Sequence, residues 1–500
     1  MYSGNSFMPR DYCLRRVGFR SLNIVFLWLF LLVGWANGQA APAPGDVSQQ
    51  PSSGSMAAPS PHSPSQVSSE SIESPTPITK SEAKALFRSV DEILRFVSHD
   101  TGLPIKHKVK KKLITRDQVE RYVEDHIKTD KDAQRIERSQ LVLRKFGMIP
   151  RDYDLHAEFL KLLREQVAAF YDPKTKTVNL LDWVRPELQK PVLAHELTHA
   201  LQDQTVDLRT WIRAGGSSGT PLPDQQEQVV QEAQSARENV TEGQAMLAMI
   251  DYILAPAGKN ILTAPDVVSA MRASMTDGKD LPVLAGAPVY LRESLQMPYA
   301  SGMDFERAVL TKKGTTAAYD GVLQHPPADT YEVMVPDAYI DNLGVVPLTI
   351  PDLDKLIAPD YERYDFGSMG AFDVYLLAKQ YAPDADAKQY YSHWRGGYYL
   401  AVHAKSAPKD QIGLIYRSQW DSPEAARAFA KMYGDYVPTR YKDAARLPDS
   451  CPVSTEDREC SSRQWDTSEG TVLIEVRGNE LLILEGLNDT TMQRARSTLF

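Results

Sequence analysis

Cysteine is nearly absent: 500 residues carry only Cys13, Cys451 and Cys460. Cys13 falls in a segment read below as an export signal. Cys451 and Cys460 then remain, close together in a Pro/Ser/Asp/Arg-rich stretch. In an oxidising compartment they are expected to close a short disulfide loop, and no neighbouring histidine supports a metal site there. An excess of positive charge is also missing. The net charge is −9, and the one basic run, Lys106 to Lys112, is read as a solvated loop or helix face. That excludes a nucleic-acid partner as a working idea. After residue 33 no stretch is long and apolar enough to cross a membrane.

The apolar run that does exist lies at the start. Arg10, Arg15, Arg16 and Arg20 precede Leu22 to Val33, followed by Trp35-Ala36-Asn37-Gly38. A positive region, a short apolar region and a small-residue end make an export signal over 1–38, cleaved after Gly38 or Ala40. The protein is therefore expected to be periplasmic or extracellular, with a membrane contact only if that segment is retained as an anchor. Residues 39–80 are Pro, Ser, Ala and Gln with scarcely a large apolar side chain, the composition of a disordered tether. The remaining about 420 residues are enough for two or three domains around real cores.

Histidine is scarce too, ten in all, which gives weight to His195-Glu196-Leu197-Thr198-His199. Residues four apart share a helix face, so both imidazoles can reach one ion, and Zn²⁺ suits that pair. Glu196 would then sit beside the attacking water as general base. Leu193, Leu197 and Leu201 give this helix a buried stripe. Asp203, one turn after His199, is a candidate to fix a ring or cap a neighbouring group.

Catalytic zinc takes three protein ligands. A second helix expected over 224–254 offers Glu242, with Glu238 one turn earlier as reserve. Gly243 and Ala245 beside Glu242 would let the two helices approach closely.

The segment HELTHALQDQT, His195 to Thr205, resembles the active-site helix of the gluzincin metallopeptidases, the thermolysin-like zincins. It is more closely similar to poorly characterised exported bacterial proteins that carry an HELTHALQDQ-type helix and a later Glu-Gly-x-Ala helix, here Glu242-Gly243-Gln244-Ala245. The likeness runs over residues 160–335 and more loosely to 435. It implies His195, His199 and Glu242 as zinc ligands, Glu196 as base, and peptide or protein substrates. One departure is the 43-position gap between His199 and Glu242, longer than in thermolysin.

Upstream, residues 168–181 read as a hairpin turning at Asp172-Pro173-Lys174-Thr175. In zincins such a strand edge can pair with an extended peptide. Downstream, the Pro298–Phe305 and Gln324–Thr330 segments also resemble that bacterial group. Tyr299, His325 and Tyr331 are the donors available there to stabilise an oxyanion, with Tyr299 and His325 taken as the catalytic candidates.

The expected fold class is α+β. A mostly helical zincin-like catalytic domain with a small edge sheet spans 81–350, its part 81–160 helical (either an upper layer or a propeptide-like cap), and a smaller α+β domain spans 351–500. In the latter, strands at 394–402 and 412–420, a helix over 423–433 capped by Asp421-Ser422, and a hairpin at 472–484 suggest a small sheet with a helix on one side. His393 and His403 there are read as structural. The function expected from all this is an exported zinc metallopeptidase. The competing reading is an exported binding or envelope-assembly protein whose zincin site is structural or inactive.

Overall fold

Thr79 starts the first long helix by a reciprocal cap: its hydroxyl accepts from the Glu82 amide at 3.2 Å, and the Glu82 carboxylate accepts from the Thr79 amide at 2.7 Å. The helix, α1 (Lys80–Thr101), ends at Gly102, whose φ of 74° closes a left-handed cap. The computed structural model describes residues 77–500 except 128–129, 166–168, 217–221, 278–281, 406–407, 409–410 and 449–459. The export signal, nearly all of the tether, most of the glycine-rich loop at 215–220 and one partner of the expected Cys451–Cys460 disulfide lie outside the described residues.

After α1 come β1 (Lys110–Ile114), α2 (Arg116–Ile127), α3 (Asp130–Lys145), α4 (Leu155–Glu165), β2 (Phe170–Asp172) and β3 (Thr177–Leu181). The expected hairpin is β2–β3, and β1 joins it in parallel to give the order β1-β3-β2. The basic run therefore is not wholly loop or helix face. Lys110 to Lys112 begin an edge strand, held because Leu113 and Ile114 turn inward while Lys111 reaches Asp91 of α1 at 2.7 Å. Lysines on a sheet edge also keep it from pairing with other chains.

Next follow α5 (Pro186–Val206), α6 (Leu208–Trp211), α7 (Asp224–Leu254), α8 (Pro265–Asp277), α9 (Pro282–Ala285) and α10 (Val289–Lys313). Helices α1, α5, α7 and α10 pack on one another. Leu193, Leu197 and Leu201 are fully buried as the stripe predicts, but so is every residue from Val192 to Asp203. A helix buried on all sides is a central helix, and the polar residues it carries inward need partners inside the protein. A π-helical turn, Ala317–Gly321, follows α10.

The α+β class is present as read. The C-terminal sheet is larger than expected: seven antiparallel strands in the order β4-β5-β6-β10-β9-β8-β7. They are β4 (Tyr361–Ser368), β5 (Trp394–Ala404), β6 (Ile412–Trp420), β7 (Ala445–Leu447), β8 (Cys460–Asp466), β9 (Val472–Arg477) and β10 (Glu480–Glu485). Both faces are covered, not one. Tyr399, Ala401, Tyr416 and Ile483 meet Phe429 and Tyr433 of helix Pro423–Arg440. Tyr398, Leu400, Leu482 and Leu484 meet helices Leu353–Ile357 and Asp489–Leu499.

This sheet grips the start of α7. Glu232 accepts from Thr330 Oγ1 at 2.7 Å and from Ser368 Oγ at 2.9 Å, and Gln231 accepts from the Ser368 amide at 2.7 Å. Arg363 forks onto both carboxylate oxygens of Asp224 at 2.9 and 3.1 Å. The helix carrying Glu242 is thus anchored ten residues upstream by hydrogen-bonded buried groups, which hold geometry more tightly than apolar contact alone.

Where α1 meets α7, two acids face each other. Burial, and then the neighbouring charge of Asp251, push the Asp100 carboxyl up to about 7. Burial pushes Asp251 up to about 6. A carboxyl whose folded pKa is raised binds more protons folded than unfolded, so stability falls as pH climbs from about 4 to 7 and is flat above. Asp100→Asn is expected to stabilise the protein by about 2 kcal/mol at pH 8 and by little at pH 4. Thermal melting of both proteins at the two pH values checks this; equal shifts at both would refute it.

Candidate metal centre

Helix α5 places His195 and His199 one turn apart with their Nε2 atoms 2.9 Å from each other. From α7, Glu242 brings Oε2 to 3.2 Å from the His195 Nε2 and 3.8 Å from that of His199. Among the described residues this is the one group of three His, Cys, Asp or Glu side chains with ligand atoms close enough to hold a metal ion. Glu238 is outside it, so the close approach of α5 and α7 selects the later of the two glutamates.

Both imidazoles are fully buried. Burial, then the neighbouring His199, drive His195 well below the ordinary histidine range. Burial lowers His199 to about 3, against a hydrogen bond to the side-chain oxygen of Gln202 that works the other way. Neutral imidazoles are the metal-binding form. Glu242 is pushed up by burial and then by the charges of Glu196 and Glu238. Its Oε2 has no hydrogen-bond partner. Two neutral imidazoles and a desolvated carboxylate oxygen facing one point form a donor set that a divalent cation fits and a proton serves poorly.

Glu196 sits beside this group, fully buried. One carboxylate oxygen accepts from the Tyr171 amide of β2 at 2.6 Å, and the other has no hydrogen-bond partner. Burial raises its pKa well above the usual range, opposed by the Tyr171 amide. β2 is the outer strand of its sheet, and the amide it aims away from β3 is the one that orients Glu196.

Tyr299 of α10 is buried, with its ring centroid 6.2 Å from that of His195. Burial, then the charges of Glu242 and Glu196, keep its hydroxyl protonated. It can therefore donate a hydrogen bond next to the His–His–Glu group. His325 is placed differently. Its side chain is exposed beyond the turn that follows α10, and it hydrogen-bonds through its backbone, whose carbonyl accepts from the Tyr339 hydroxyl at 2.7 Å. An exposed side chain gives the expectation of a catalytic His325 no support. Tyr331 packs under the Arg395 guanidinium at 4.7 Å, in the junction with the C-terminal sheet. His393 pairs with Asp421 at 2.8 Å, consistent with a structural role.

A family model described as a domain of unknown function, DUF8575, matches residues 361–496. No curated protein and no solved structure matches the chain. The matched segment holds the seven-stranded sheet, helix Pro423–Arg440 and most of helix Asp489–Leu499, but not helix Leu353–Ile357. His195, Glu196, His199, Glu242 and Tyr299 all lie outside it.

Asp203, the candidate to fix a ring or cap a neighbouring group, takes the second role. It accepts from the Tyr171 hydroxyl at 2.6 Å and from the Leu208 amide at 3.1 Å, and pairs with Lys176 at 2.7 Å, tying the β2–β3 hairpin to α5 and capping α6. The residue that holds an imidazole is its neighbour Gln202, whose side-chain oxygen lies 2.8 Å from His199 Nδ1. Spacing alone carried that signal, since residue i+3 from His199 shares its face. Gln244, which holds Gln202 in turn, has no such signature.

Proposed function

We propose that this chain is an exported zinc-dependent metallopeptidase that hydrolyses peptide bonds in peptide or protein substrates. The observation that carries the reading is the convergence of His195, His199 and Glu242 with a buried Glu196 whose second oxygen is left without a partner. The chemistry that zinc supplies in such a donor set is Lewis acidity, which acidifies water and polarises a carbonyl. His195, His199 and Glu242 hold the ion. Glu196, fixed by the Tyr171 amide, takes the proton of the attacking water and delivers it to the departing amine as the C–N bond breaks, leaving a carboxylate and a free amine. Tyr299 donates its hydroxyl proton in a hydrogen bond to the oxygen that gains charge. The Tyr171 amide on the outer side of β2 is taken up by Glu196, so it is not open to pair with an extended substrate. Export rests on the N-terminal sequence pattern.

One observation favours the second reading, an exported binding or envelope-assembly protein with a structural site: His195, Glu196 and His199 are each 0 % exposed. Buried ligands hinder the access that a substrate needs, although structural zinc normally takes a fourth protein ligand and three converge here among the described residues. The retained Glu196 argues the other way, because a structural site has no use for a base.

Metal content of the purified 39–500 protein, beside Glu242→Ala and Glu238→Ala, is the deciding experiment. One zinc per chain, lost in Glu242→Ala and kept in Glu238→Ala, is the expected result, followed by cleavage of a peptide library. Wild type without zinc after reconstitution would move the assignment to the binding protein.

A further inference from the structure

We propose that the π-helical turn Ala317–Gly321 is a positioning element for this centre and that, acting through Gln244 and Gln202, it sets the tautomer of His199. The proposal deepens the metal reading, but its central claim concerns hydrogen bonds within the protein.

The path is anchored at backbone carbonyls, which can only accept. Gln244 Nε2 donates to the carbonyls of Ala318 and Tyr319 at 2.8 and 3.1 Å. Backbone carbonyls cannot donate, so the amide nitrogen of Gln244 must face the turn and its oxygen must face away. That oxygen accepts from Gln202 Nε2 at 2.9 Å, which also donates to the Thr241 carbonyl at 3.0 Å. Gln202 is therefore fixed too: with two acceptors on its nitrogen side, its oxygen is what meets His199 Nδ1 at 2.8 Å. An oxygen there requires the proton on Nδ1, leaving the Nε2 lone pair toward His195 and Glu242. Flipping either amide would set oxygen against oxygen in a fully buried site, since both glutamines are 0 % exposed, and would leave buried groups unpaired.

The turn supplies the two carbonyls at which the path begins. Single π-turns recur at functional sites because they displace carbonyls from the regular helix ladder. Here α5, α7 and the turn after α10 are linked by side-chain amides, and both glutamine nitrogens have two acceptors. A metal-binding imidazole normally has its second nitrogen held in this way, and losing the holder costs 10–100-fold in affinity.

The experiment uses the full metal-free chain, labelled with ¹⁵N at histidine, and reads the His199 tautomer from two-bond proton–nitrogen couplings; a His199→Gln sample assigns its signals. The expected result is Nδ1–H in wild type and mixed tautomers in Gln202→Leu and Gln244→Met. Zinc affinity, by competition with a chelating dye, should fall about 10- to 100-fold in Gln202→Leu. Far-UV circular dichroism separates this from unfolding, and should Gln202→Leu not fold, the wild-type spectrum and Gln244→Met still decide. An Nε2–H tautomer in wild type, or an unaltered Nδ1–H tautomer in both folded variants, would overturn the proposal. A wild type that shows Nδ1–H yet binds no zinc supports the relay and removes the metallopeptidase reading instead.

Discussion

Glu196→Gln should retain one zinc per chain and lose about a thousandfold in peptide hydrolysis. The two effects separate because the ligand atoms and the base occupy different positions. The ligand atoms belong to His195, His199 and Glu242, whereas the carboxylate of Glu196 is bound to the Tyr171 amide at 2.6 Å. Glutamine keeps that bond, because its side-chain oxygen also accepts, so β2 and α5 stay joined. What it loses is the capacity to take a proton, and a positioned general base contributes about 10²–10⁴ in rate. Removing a carboxylate whose charge burial disfavours also removes a desolvation cost. The variant should therefore melt no lower than wild type. Metal analysis, melting and a fluorogenic peptide assay on the same preparations test all three statements. Full activity in Glu196→Gln would end the proposed mechanism; loss of zinc would show that Glu196 belongs among the ligands.

Much of this geometry is legible in the sequence, and the reason is periodicity. His195 and His199 meet because helix spacing brings them together, and the helix read at 224–254 is α7 as it stands. The turn chemistry of Asp172-Pro173-Lys174-Thr175 marks the β2–β3 hairpin correctly. What sequence could not supply is anything set by contact between distant segments. Nothing local reveals that β1 inserts beside β3, that Asp203 faces the hairpin, or that Gln244 reaches a π-turn more than seventy residues away. The C-terminal sheet was underestimated for a related reason. The four strands read, β5, β6, β9 and β10, form its middle, and the three missed, β4, β7 and β8, extend its two edges through pairings with them. His325 is the reverse case, a residue singled out by type whose side chain is exposed.

Beside the centre two glycines meet, but Gly243 packs on Gly302 of α10 and not on α5 as the sequence suggested, and an alanine at either should force α7 and α10 apart. Glycine inside a helix costs about 1 kcal/mol relative to alanine, so propensity alone predicts that Gly243→Ala and Gly302→Ala stabilise. The packing predicts the reverse. A Cβ on Gly243 would meet the Gly302 backbone, with its Cα at 2.9 Å and its carbonyl nearer still, and a Cβ on Gly302 would meet the Asn239 carbonyl of α7 well inside contact distance. Backbone cannot swing aside as a side-chain tip does, so α7 and α10 would have to separate. Overpacking of a tight core costs about 1–3 kcal/mol or more, which outweighs the propensity gain. The displacement would fall next to Glu242 and three residues from Tyr299, and metal ligands tolerate displacements of only a few tenths of an ångström. Gly302→Ala should therefore melt several degrees below wild type and bind zinc at least tenfold more weakly. Gly258→Ala is the control: Gly258 has no atom within 4 Å of the added carbon and, at a φ of 67°, should lose stability through backbone strain alone while leaving zinc affinity unchanged. If Gly302→Ala bound zinc as tightly as wild type, the close crossing of α7 and α10 would be a matter of packing with no bearing on the centre.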